Sequence, residues 1–224
     1  MRIRRLLLCA MTKQTFSGGK IKAVAIDWGL DDVTYAQLLL SLRLRSRQIQ
    51  ASMDIQKIEG TQVFLDGQKT MQLPVSDTEP YRLLFVVRHA EKGLGWDAGL
   101  TEAGLRRAQR LADILKGARI TEVLATDLKR AQQTAAPTAA AHDLEVHLYS
   151  PFPPGHLLMR MHAQLDGGAS LIVGHQNTVP ALLNEAIHSL QYDELQPDEY
   201  SRFFVVICRE SGAAHILEFD YLVS

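Results

Sequence analysis

Five consecutive apolar residues, Leu83-Leu-Phe-Val-Val87, run straight into Arg88-His89, and this junction constrains the chain more than any other feature. A short, wholly apolar run suits a strand covered on both faces, and such strands belong to sheets flanked by helices. The arrangement returns at Leu171-Ile-Val173, which runs into Gly174-His175-Gln176-Asn177. Between and around the two junctions, strand and helix patterns alternate. Thr101 is placed to cap a helix with Leu105, Ala108, Leu111, Ala112 and Leu115 on one face. A strand over Glu122 to Ala125 leads to an Ala-rich helix from about Asp127 to Ala141. Leu144 to Leu148 is a third strand and Leu171 to Val173 a fourth, followed by a helix from Pro180 to Ala186. Phe203 to Cys208 and His215 to Phe219 read as an antiparallel hairpin around Gly212. This rhythm predicts a layered α/β domain.

Upstream the pattern differs, and the turn-rich stretch Pro74 to Pro80 is the expected boundary. We therefore divide the chain into residues 1–80, an N-terminal α+β extension of unknown role, and residues 81–224. In the extension, Ile21 to Ile26 reads as a strand. Asp31-Asp32 open a segment with Leu38, Leu39 and Leu42 that suits a helix, although Leu40 to Leu44 also alternates as a strand would. Val63 to Leu73, with Asp66-Gly67 at its centre, reads as a hairpin.

The formal net charge of −1 supplies no basic field to attract nucleic acid or an anionic membrane. The apolar run Leu6 to Met11 is short for a signal peptide and is followed by Thr12-Lys13-Gln14. No apolar stretch reaches membrane-spanning length. These readings predict a cytoplasmic protein with no membrane or nucleic-acid partner; the sequence does not specify its oligomeric state. Cys9 and Cys208 form neither a disulfide framework nor a zinc module. All eight histidines fall after residue 80, where the chemistry is expected.

In open α/β sheets, ligands bind outside the carboxyl ends of the strands. Two histidines and an arginine are thus delivered to one edge, and Arg130, near the start of the helix after Glu122 to Ala125, adds a second arginine. That combination suits a phosphoryl group, which carries about −1.5 to −2 charge near neutral pH and several strong acceptor oxygens. Arg88 and Arg130 offer planar forks to those oxygens. His89 can attack phosphorus and carry it covalently. His175 can donate to a non-bridging oxygen as charge spreads in the transition state.

These residues resemble the histidine phosphatase superfamily, which includes the cofactor-dependent phosphoglycerate mutases. Arg88-His89-Ala90 is similar to its Arg-His-Gly signature, in the Ala variant of small phosphatase-type members. Leu100-Thr-Glu-Ala-Gly104 with Arg107, Ala108 and Leu111 looks like its Leu-Thr-x-x-Gly-x-x-x-Ala segment. Ala125 to Thr134 is similar to its Ser-x-Leu-x-Arg-Ala-x-x-Thr helix, and Gly174-His175-Gln176-Asn177 to its second-histidine turn. The four ordered segments span roughly residues 82–222. The resemblance implies a three-layer α/β/α sandwich with a mostly parallel central sheet. It also implies a phosphohistidine on His89 and a phosphate pocket of Arg88, Arg130 and His175, with Gln176 as a further substrate contact. It implies no metal and no cofactor. The expected activity is a metal-independent phosphatase acting on a phosphorylated small molecule or a phosphoprotein.

The mutases carry a glutamate proton donor about 27 residues past the second arginine; Pro153 to Met159 contains no carboxylate. Glu91 and Asp97 are the candidate donors nearest in sequence, and for Glu91 the alternative is an ion pair to Lys92 or an arginine. Thr134 and Ala131 read as packing residues, and His156 and His162 fall where this fold builds a lid. The competing reading is a catalytically inactive phosphate-binding or scaffold module with the same fold. A metal-dependent hydrolase built on His89, Glu91 and His175 ranks last, because adjacent arginines would repel the cation.

Overall fold

The computed structural model describes residues 53–66, 69–76, 78–210 and 214–223. The strand expected at 21–26 and the helix expected from Asp31 lie outside the described residues. Nine strands and four helices follow in the order β1 (Ile55–Glu59), β2 (Gln62–Leu65), β3 (Thr70–Gln72), β4 (Tyr81–Arg88), α1 (Glu102–Leu115), β5 (Ile120–Ala125), α2 (Lys129–Ala141), β6 (Val146–Leu148), α3 (Pro154–His162), β7 (Ala169–Gly174), α4 (Thr178–Ala186), β8 (Arg202–Arg209) and β9 (His215–Asp220) among the described residues.

The main sheet has the order β6-β5-β7-β4-β8-β9. β6, β5, β7 and β4 pair in parallel, whereas β8 joins β4, and β9 joins β8, antiparallel. Alternation along β4 explains the layering, because successive side chains of a strand point to opposite faces. Leu83, Phe85 and Val87 bury into one core with Leu111, Ile114 and Leu115 of α1 and Ala131, Ala135 and Ala139 of α2. Leu84 and Val86 bury into the other with Leu157 and Met161 of α3 and Val179 and Leu182 of α4. The result is the three-layer α/β/α sandwich with a mostly parallel sheet. Both faces of β4 are covered, which is why its sequence shows no polar alternation.

β1, β2 and β3 form a separate antiparallel sheet in which Val63 pairs with Met71 across the expected hairpin. Ile55, Ile58, Val63, Leu65 and Leu73 are buried in the same core as α1 and the main sheet. Arg110 of α1 donates to the Ile55 carbonyl and to Gln56. The compact unit accordingly begins at Ser52, and the 74–80 stretch is an internal connection of that unit. Its turn residues reflect a passage between two sheets sharing one core.

Local chemistry sets the start of α1 against the end of β4. The Thr101 Oγ1 accepts from the Gly104 N–H at 3.1 Å and donates to the Glu91 carbonyl. A Cβ on Gly104 would stand 2.2 Å from the Glu91 carbonyl oxygen. Only glycine permits this approach, so Leu100–Gly104 docks directly on the residues that follow His89.

Candidate active site

β4 and β7 are neighbours in parallel, with Arg88 level with Gly174. The next residue of each strand is a histidine, so the register alone brings the two imidazoles together. The ladder continues one step further, because the His89 N–H donates to the Gly174 carbonyl at 2.9 Å. The rings stand 5.3 Å apart between centroids, edge to face. A Cβ on Gly174 would meet Thr178 Oγ1 at 2.7 Å, and that hydroxyl accepts from the His175 N–H. Glycine therefore lets the turn into α4 close tightly behind the second histidine.

His89 is 3% exposed. Its Nδ1 lies 2.7 Å from the Ala90 carbonyl, which only accepts, so Nδ1 carries the proton and the lone pair resides on Nε2. The Ala90 N–H donates to Thr134 Oγ1 at 2.9 Å, and the same hydroxyl donates to the Arg130 carbonyl at 2.7 Å. Thr134, expected to be a packing residue, thus ties the histidine loop to α2. Burial, with the nearby His175, Arg130 and Arg88, lowers the His89 pKa to about 3. Burial and the two arginines lower that of His175 to about 4. Both rings are neutral near pH 7. Thr126 Oγ1 stands 2.7 Å from His175 Nε2.

The arginines share one mode of attachment. Arg88 is 6% exposed and uses Nη1 to donate to the Gln196 carbonyl at 2.6 Å and the Glu199 carbonyl at 3.3 Å. Its Nη2 reaches Gln176 Oε1 only at 3.5 Å, long for a hydrogen bond. Arg130 Nη1 donates to the Trp96 carbonyl at 2.8 Å. In each case Nη1 anchors the guanidinium to the main chain, while Nε is buried without a partner. Among the described residues, five side-chain polar atoms are buried and unpartnered, and three of them are Arg88 Nε, Arg130 Nε and His175 Nδ1. An unsatisfied buried donor is destabilising by about 1–3 kcal/mol. They lie together at one edge of the sheet, a concentration of unused polar atoms that sets this rim apart.

The two carboxylates considered as proton donors are engaged elsewhere. Glu91 takes Arg107 Nε and Nη2 at 2.8–3.0 Å, and Arg107 Nη1 in turn reaches the Tyr221 carbonyl. Desolvation pushes the Glu91 pKa up, but the Arg107 fork outweighs it and holds the carboxyl below its ordinary value. Asp97 accepts from the Lys129 N–H at 2.8 Å and so caps the first turn of α2. His156 and His162 lie on α3 and are exposed. Among the described residues no three His, Cys, Asp or Glu side chains gather as a metal site.

The sequence gives no role to Thr126 or Tyr200, and it places Arg107 in a motif without linking it to Glu91. Thr126 follows a strand end just as His89 and His175 do, and that position was a usable signal. Arg107 follows Glu91 only after sixteen residues, and Tyr200 lies in a loop with no motif. Only folding brings these two near the junction.

A mostly parallel sheet with helices on both faces, carrying two imidazoles and two guanidinium groups on one rim, has the architecture of the phosphoglycerate mutase-like α/β class. Residues 84–151 match the model of the histidine phosphatase superfamily (branch 1). No curated protein matches the chain. The fold is similar to the protein histidine phosphatase SixA in complex with tungstate, at 21% identity and a TM-score of 0.52, covering 62% of this chain and 96% of that one. It is also similar to a phosphoserine phosphatase from Entamoeba histolytica (17% identity, TM-score 0.52, 63% and 98% covered). A mycobacterial glucosyl-3-phosphoglycerate phosphatase is a third (13% identity, TM-score 0.50, 64% and 100% covered). These three likenesses concern the fold. Among the described residues no helix is long and apolar enough to cross a membrane.

Proposed function

We propose that this chain is a phosphatase that hydrolyses phosphomonoesters or a related phospho-compound through a phosphohistidine on His89. One observation carries the reading: the unpartnered Arg88 Nε, Arg130 Nε and His175 Nδ1 occur together with a neutral imidazole whose Nε2 is free. The arginine edges and Nδ1 supply donors for the non-bridging oxygens of a phosphoryl group. Thr126 Oγ1 lies 2.7 Å from His175 Nε2; in the tautomer this reading assigns, the hydroxyl donates to Nε2 and the ring proton sits on Nδ1, where it can be donated to a phosphoryl oxygen.

In the first step the Nε2 lone pair attacks phosphorus in line. The bond to the leaving group breaks, and its electron pair departs with that group, which takes a proton from water. In the second step water attacks phosphorus, the N–P electrons return to Nε2, and the water proton passes to solvent or to the released phosphate. No metal is required in either step. Because Glu91 and Asp97 are engaged by Arg107 and Lys129, the reading assigns no carboxylate donor. Substrates whose leaving groups depart without protonation by the protein are therefore favoured. Aryl phosphates and phosphoramidates, including a phosphorylated imidazole on a protein, have that property.

The test is turnover of p-nitrophenyl phosphate in excess chelator, by the full chain and by His89→Ala. Chelator-resistant turnover that disappears in the variant is expected. Turnover that survives His89→Ala removes the nucleophile from the proposal. Phosphate binding without turnover would make the chain an inactive phosphate-binding module.

A further inference from the structure

The segment Gln196–Tyr200 was assigned nothing by the sequence, yet its main-chain carbonyls and its aromatic ring surround Arg88. The Gln196 and Glu199 carbonyls hold Nη1, and the Tyr200 ring lies 4.3 Å from the guanidinium carbon. The same ring stands 6.0 Å from that of His89, tilted by 54°. Topology explains the meeting. β8 runs antiparallel to β4, with Phe203 opposite Val87, so residues just before β8 lie beside residues just after β4.

We propose that Tyr200 is a positioning residue for Arg88: its ring fixes the plane of the guanidinium so that the Nε–Nη2 edge meets the phosphoryl oxygens beside His89. This rests on the phosphate-binding reading above. The carbonyls pin one corner of the fork and leave rotation about that corner free. A ring against one face removes that freedom, and a cation held over an aromatic face in a desolvated site is attracted to it. Glu199 keeps the loop in shape, its Oε2 accepting from the Gln196 N–H and its Oε1 taking Arg202. Leu195, buried, extends the attachment by donating its N–H to the Gln176 carbonyl. The loop thus joins Arg88 to the β7–α4 turn that carries His175.

The experiment measures the affinity of inorganic phosphate by calorimetry on the full chain, together with p-nitrophenyl phosphate kinetics. Tyr200→Leu is expected to weaken phosphate binding about ten- to thirtyfold, the factor that loss of a desolvated cation–π contact implies. Tyr200→Phe, which keeps the ring, is expected to recover affinity to within about threefold. In an Arg88→Ala background Tyr200→Leu should change affinity by less than about twofold, because the ring acts through the arginine. A general structural defect would lower affinity in both backgrounds. Unchanged affinity in Tyr200→Leu, failure of Phe to recover it, or a full effect without Arg88 would each overturn the proposal. Turnover surviving His89→Ala, with the Tyr200 pattern as expected, would remove only the catalytic reading. A wild-type chain that binds no phosphate would remove both.

Discussion

Replacing Thr134 by valine removes one oxygen and keeps the side chain's shape, so it isolates the hydrogen bonds behind the histidine loop. Thr134 and Ala90 are both fully buried, and the Ala90 N–H has Thr134 Oγ1 as its acceptor at 2.9 Å. With the oxygen gone, that donor is stranded in an apolar interior, which is destabilising by about 1–3 kcal/mol. The bond from Thr134 to the Arg130 carbonyl contributes little more, since that carbonyl already belongs to the α2 ladder. A loss near 2 kcal/mol in a unit of this size lowers the melting temperature by about 4–8 °C. The rate should suffer as well. The Ala90 carbonyl holds the Nδ1 proton of His89, and a main chain that shifts at Ala90 to find water for its N–H displaces the adjoining carbonyl and loosens that hold. A misdirected imidazole slows turnover about tenfold for each 1.4 kcal/mol lost in the transition state. Thr134→Ser keeps the hydroxyl and should lose much less of both. Thermal unfolding followed by circular dichroism, alongside p-nitrophenyl phosphate turnover, reads out the two effects. A valine variant that melts within about 1 °C of wild type, at an unchanged rate, would refute the chain of reasoning from Thr134 to His89.

Two further outcomes are expected. The His89 imidazole is lowered by burial to about 3 in the folded chain, against about 6.5 when unfolded, so between these values the unfolded state binds more protons. The stability held by the neutral ring is complete above pH 6.5 and falls on acidification, by about 2 kcal/mol from pH 6.5 to 5. Denaturant titrations should show a shallower acid loss in His89→Gln, and parallel acid limbs would contradict the assignment. Glu91→Gln should lower stability by about 1–3 kcal/mol, because it weakens the Arg107 clamp on the Tyr221 carbonyl. Turnover of phenyl and p-nitrophenyl phosphate should then change by the same factor, whereas a loss confined to phenyl phosphate would restore Glu91 as the proton donor.

The sequence by itself determined the strands that carry the site and the residues at their ends. Apolar runs covered on both faces announce buried strands, and the polar dipeptides that end them can leave the interior only at the carboxyl edge. Leu83–Val87 and Leu171–Val173 therefore placed His89 and His175 on one rim. Short-range rules likewise located the Thr101 cap. The tertiary structure decided which strands are neighbours, and that choice made the rest. Parallel pairing of β4 with β7 turned two histidines on one rim into two rings 5.3 Å apart. Antiparallel pairing of β8 with β4 carried Tyr200 and two main-chain carbonyls to Arg88, across more than a hundred residues of chain. Packing of residues 55–73 against α1 placed the 74–80 stretch inside one compact unit. That Arg107 is the arginine which engages Glu91, and that Asp97 caps the start of α2, was likewise decided only by the fold. Hydrophobic periodicity records which face of each element is covered, but it carries no term for which element does the covering. Strand order and long-range ion pairs arise from that second choice, and the fine geometry of the site follows from them.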